Sequence, residues 1–170
     1  LMLCGASDTE GVAKTFERVT RELGGEALWC RSGSIRYVKG PNADWNLNSR
    51  RTVASADLCV FVIVRRYGEI TWGTELSEAL SKGTPFLILC LAQTYQQYVT
   101  LRRDVPVESI ADDQLKNLVT TLMEIESARQ LTVVPFDMDG FAETLRGECA
   151  KVFVDGLEAL SHRNERGALV

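Results

Sequence analysis

Histidine is almost absent from this chain: among 170 residues only His162 carries an imidazole, and it stands in a polar stretch near the end. A Ser-His-Asp triad, histidine acid-base catalysis and a histidine-rich metal site are thereby excluded, since each needs imidazole inside the fold. No metal is expected. Excess positive charge is lacking too: 19 basic residues face 23 acidic ones, for a formal charge of −4, and like charges form no long block. That balance argues against nucleic acid and against a polybasic membrane patch, leaving a small molecule or a protein as partner. No apolar run approaches the eighteen or so residues of a membrane span, and no signal-peptide pattern opens the chain. The five cysteines stand singly at 4, 30, 59, 90 and 149, mostly within apolar runs, without metal-ligand spacing. They read as reduced core thiols in a cytoplasmic protein.

What is present is an alternation of apolar runs and helical patterns. The length suits one domain, burying about two-thirds of its unfolded surface, with residues 162–170 as a polar tail or linker after a domain spanning 1–161. Opening on a strand pattern without an initiator Met, the chain reads as excised from a longer protein. Strands are expected near residues 1–4, 27–30, 58–64, 85–91 and 131–136. Helices are expected after Ser7 or Asp8, from a cap at Asn46 or Asn48, over 72–82, after Asp112 or Asp113, and over 140–160. A polar segment from Arg31 to about Asn46 reads as a long loop, and 93–104 as a polar connection. Strands separated by helices imply an α/β fold: a flavodoxin-like three-layer sandwich around a five-stranded parallel sheet of order 2-1-3-4-5. Its switch point lies between the strands at 1–4 and 58–64, so the turn Gly5-Ala6-Ser7-Asp8 and the loop 65–71 flank one crevice.

The helix after that loop carries Glu75 in its first turn, at the edge of the face formed by Leu76, Ala79, Leu80 and Gly83. Burial raises a carboxyl pKa and a helix N-terminus favours the anion. A carboxylate against an apolar wall suits a cationic transition state, such as the oxocarbenium-like state at an anomeric carbon. Equally, Glu75 fits an ordinary acidic first-turn residue. Glu78 is spaced for an ion pair with Lys82, and Glu69 reads as solvated. Arg65 and Arg66 suit a phosphate or water. Trp45 and Tyr37 suit ring stacking or loop anchoring. Gly5, Ala6 and Ser7 can bring backbone N–H groups to a phosphate or ribose.

Ala56-Asp57, an apolar strand, then Gly73-Thr74-Glu75-Leu76, Ala79-Leu80, Gly83 and a second apolar strand resemble the nucleoside 2-deoxyribosyltransferase superfamily. Trp72-Gly73-Thr74-Glu75-Leu76 is similar to the motif of its TIR relatives, whose glutamate cleaves NAD. The loop Arg65-Arg66-Tyr67-Gly68 and the ending 131–141 resemble a TIR-related family found at the start of bacterial multidomain proteins. This resemblance implies Glu75 as catalytic residue, and Gly5, Ala6, Ser7, Asp8, Trp45, Arg65, Arg66, Tyr67, Gly68 and Trp72 around a nucleotide. It implies NAD as substrate, no cofactor, and an effector of anti-phage defence that self-associates or is fused to a sensor or assembly module. A nucleoside or nucleotide deoxyribosyltransferase or N-glycosidase, and a non-catalytic interaction domain, are the alternatives. Two positions depart from the nucleoside-processing pattern: its acidic residue falls on Ser49 and its phosphate-binding serine on Glu69. A single glutamate without a partner acid suits NAD, because nicotinamide leaves already neutral.

Overall fold

A computed structural model describes residues 1–29 and 44–167. Four parallel strands, β1 (Met2–Gly5), β2 (Cys59–Ile63), β3 (Phe86–Leu91) and β4 (Val134–Phe136), lie side by side in that order. The register pairs Leu3 with Val60, Val60 with Leu87 and Leu89 with Val134. Of the strand expected at 27–30, the described residues 27–29 form one bridge, Leu28 to Met2. Among these three, only Leu28 uses both backbone groups for it, donating to the Leu1 carbonyl at 2.8 Å and accepting from Leu3 N–H at 2.8 Å. The sheet is therefore four-stranded, and the bridge sits on the free side of β1, where the expected order places its edge strand. Cys30 and Tyr37 lie outside the described residues.

Side chains alternate along each strand, so the sheet feeds two cores. On one face Met2, Cys4, Cys59, Phe61, Ile63, Ile88 and Cys90 meet α2 (Trp45–Ser55), α3 (Leu76–Lys82), α4 (Ala92–Asp104) and α5 (Asp113–Met123). On the other, Leu3, Val60, Val62 and Leu89 meet α1 (Glu10–Glu22) and α6 (Phe141–Gly167) through Phe16, Val19, Phe141 and Leu145. Both faces of β2 are covered, which explains its unbroken apolar run. Burying each such side chain contributes about 1.5 to 3 kcal/mol.

Several elements differ from the expectations. Residues 93–104 are helical: Thr94 and Tyr98 provide the buried stripe of α4, and polar atoms on inward residues hid it. The Thr94 hydroxyl donates to the Val64 carbonyl, and Tyr95 and Tyr98 donate to Glu126 at 2.6 and 2.8 Å. Asp44, rather than Asn46 or Asn48, caps α2 by accepting from Leu47 N–H at 2.6 Å, so Trp45 opens a helix instead of lying in a loop. Helix α6 continues through residues 162–167, expected as tail. Leu80 faces outward rather than onto the sheet, and Glu78 and Lys82 form no ion pair among the described residues. No described helix is long and apolar enough to cross a membrane.

Candidate functional site

The turn after β1 is built by contacts only glycine permits. A Cβ on Gly5 would lie 2.2 Å from Thr9 Cγ2 and 2.8 Å from the Val62 carbonyl oxygen, so the turn rests directly against β2. Thr9 holds it by donating through its hydroxyl and its N–H to the Ala6 carbonyl at 2.8 and 3.1 Å. Asp8 then joins the two loops: one carboxylate oxygen accepts from the backbone N–H of Arg65 at 2.8 Å and of Arg66 at 2.9 Å. This is the role of a brace between the two loops. Gly68 closes the loop over the turn, since a Cβ there would meet Thr71 Oγ1 at 2.9 Å and Ala6 N at 3.3 Å.

Between those loops lies a crevice of about 490 Å³ lined by Ala6, Ser7, Arg65, Arg66, Tyr67 and Gln114. Five of the six were expected at a nucleotide; Gln114, from the start of α5, carried no sequence signal. The guanidinium of Arg66 donates to Ser7 Oγ at 3.3 Å and that of Arg65 to Gln93 Oε1 at 3.5 Å. Among the described residues neither arginine has a carboxylate partner on its side chain. The crevice is therefore cationic in an acidic protein, and it opens at the carboxyl ends of β1 and β2, where the topology places ligands.

Glu75 sits one layer deeper. The helix begins before Trp72, at residue 69, and passes through a π-helical turn, Thr71–Glu75, in which Leu76 N–H reaches back to the Thr71 carbonyl. Glu75 thus closes that turn rather than opening a helix, which removes the dipole advantage expected for it. It is 8% exposed, and burial pushes its carboxyl pKa up. Hydrogen bonds from Ser49 on α2, Cys4 on β1 and Thr71 oppose that rise by stabilising the anion. No basic side chain is among these partners. The same burial, with the neighbouring Cys59 and Glu75, raises the Cys4 thiol well above its usual range, so Cys4 acts as a neutral donor. Three neutral donors from three elements thus converge on one carboxylate. Of these only position 49 had been marked in the sequence, as a departure from the resemblance; Cys4 was masked by its apolar run and Thr71 by its place in a supposed loop.

Two other expected residues behave differently. Trp72 is buried against Phe61, with ring centroids 5.8 Å apart, and joins Tyr67, Leu76, Thr121, Ile125 and Arg129 around a second hollow of about 220 Å³. It does not reach the arginine crevice. Trp45 is 57% exposed at the start of α2, whose Asn46 accepts from Thr74 in the π turn at 3.1 Å. Glu75 lines neither hollow, although Gly68 and Thr71 connect it to the crevice wall. Among the described residues no group of His, Cys, Asp and Glu is arranged to hold a metal ion. The chain matches no family model, no curated protein and no solved structure.

Proposed function

We propose that this domain cleaves the N-glycosidic bond of NAD. The observation that carries the reading is Glu75: a buried carboxylate whose anion Ser49, Cys4 and Thr71 favour, without a neutralising cation, in a turn packed on β1 of a parallel sheet. Such a group can stabilise a ribosyl cation by electrostatics that need little reorganisation. As the C1'–N bond breaks, its electron pair moves to the pyridinium nitrogen and nicotinamide leaves neutral, so no proton donor is required. Water then adds to the sugar carbon and releases a proton. Arg65, Arg66 and Ser7 supply donors for the phosphates in the crevice, and Gln114 a carboxamide for a hydroxyl. An effector role in anti-phage defence follows from the resemblance in Trp72-Gly73-Thr74-Glu75-Leu76, and a cytoplasmic location from the singly placed cysteines, read as reduced thiols.

Incubating the protein separately with NAD and with deoxynucleosides, and quantifying the freed base, tests the reading. Release of nicotinamide alone supports it; release of purine or pyrimidine alone assigns the domain to deoxyribosyl chemistry instead. A second reading, a non-catalytic interaction domain, is favoured by one observation: Glu75 opens into neither hollow among the described residues. Turnover of neither substrate, unchanged by Glu75→Gln, is its signature.

A further inference from the structure

Helix α6 has two distinct halves. Phe141, Leu145 and Cys149 are buried against α1 and the sheet, and Arg146 fixes the helix to α1 through Glu22 at 2.5 Å. Beyond Val152 the helix carries Phe153, Val154, Leu157 and Leu160 with 53 to 66% of their surface exposed. Eleven large apolar residues are exposed among the described ones, and four of them fall within these eight positions. The helix runs on for fifteen residues after Val152, roughly 22 Å at 1.5 Å per residue. A helix of that length with half-bare apolar side chains is marginal in water by itself.

Ala150, Phe153, Leu157 and Leu160 recur at intervals of three, four and three, the a/d seam of a coiled coil. The positions that would flank this seam between facing helices are Cys149, Val154, Gly156 and Ser161, none of them charged. The charges of this stretch, Lys151, Asp155 and Glu158, all fall on the opposite side, and Lys151 is turned back onto Glu148 at 2.5 Å. A copy of the same helix laid parallel therefore meets apolar or small residues without any like-charge contact, and Gly156 permits close approach. From these features we infer that the outer half of α6 pairs with the same segment of a second copy, in parallel. Four half-exposed side chains offer roughly 100 Å² each, so two stripes bury about 800 Å², below the about 1,200 Å² of a standard stable interface. The association is consequently weak and driven by concentration.

Sedimentation of the 170-residue protein from about 10 µM to about 1 mM spans the affinity range of such contacts. The average mass should climb from 18.9 kDa towards twice that value, Leu157→Lys should hold it at the monomer value with an unchanged thermal midpoint, and Asp155→Asn should behave as the parent. Mild oxidation should link Leu157→Cys into disulfide dimers, because a parallel seam sets position 157 against itself, whereas Asp155→Cys should stay at the background of the parent. A monomer throughout, as expected if another protein or a further stretch of chain covers the stripe, overturns the inference. So does association that survives Leu157→Lys, or cross-linking at 155 in preference to 157.

Discussion

The hydroxyl of Ser49 on α2 favours the ionised form of Glu75 at the end of the π turn, linking two elements through one buried carboxylate. Hydrogen bonds to a charged group contribute about 1.5 to 3 kcal/mol. Ser49→Ala should therefore raise the Glu75 pKa further, move the acid limb of NAD cleavage to higher pH and lower turnover several-fold at neutral pH. Ser49→Thr, which retains the hydroxyl, should restore the parent profile. A pH–rate profile of the three proteins checks this.

Glu75→Gln should abolish turnover and stabilise the fold at neutral pH. Because the folded pKa lies above its unfolded value, the native state binds this proton more tightly, and stability falls as pH rises through the folded pKa. Replacing the carboxyl removes that loss, with a gain of about 0.5 to 2 kcal/mol, the usual scale for relieving a destabilised site. The difference should vanish below the ordinary glutamate range, where both proteins are neutral at this position. Denaturant titrations at pH 3 and 7 would read it.

Gly5→Ala places a methyl group against Thr9 and the Val62 carbonyl. The strand-to-turn junction cannot move away without disturbing β2, so we expect a loss of about 1 to 3 kcal/mol. Gly73→Ala, which meets nothing within 4 Å and adds helix propensity, should be neutral or slightly stabilising. Thermal unfolding of both variants decides the point.

Arg66→Ala should weaken NAD binding and leave the chemical step intact, raising KM about tenfold with kcat within twofold, since a phosphate contact of this kind is worth about 1.4 kcal/mol. The same change should reduce the salt dependence of kcat/KM. A fall confined to kcat would place Arg66 elsewhere in the mechanism.

The α/β class and the parallel sheet were legible because they rest on continuous apolar runs at 58–64 and 85–91 and on glycine-bearing turns. The edge strand at 27–30 was not, because a three- or four-residue apolar run does not reveal how many of its backbone groups find partners. Helix α4 was hidden because Thr94 and Tyr98, the residues it buries, read as polar while their hydroxyls serve Val64 and Glu126. Glu75 was marked out by its neighbours in sequence, but its surroundings were not legible there. Cys4, Ser49 and Thr71 come from three separate elements, and only the π turn, which periodicity cannot register, sets the carboxylate between them.

The central proposal is that ionised Glu75 steadies a ribosyl cation derived from NAD. Nicotinamide release, followed by chromatography at high protein concentration across pH 4 to 9 for the parent and Glu75→Gln, tests it most directly. The parent should release nicotinamide at a rate that rises with pH as Glu75 loses its proton, and the variant should release none above the uncatalysed background. Equal release by both proteins, or none from the parent at any pH, contradicts it.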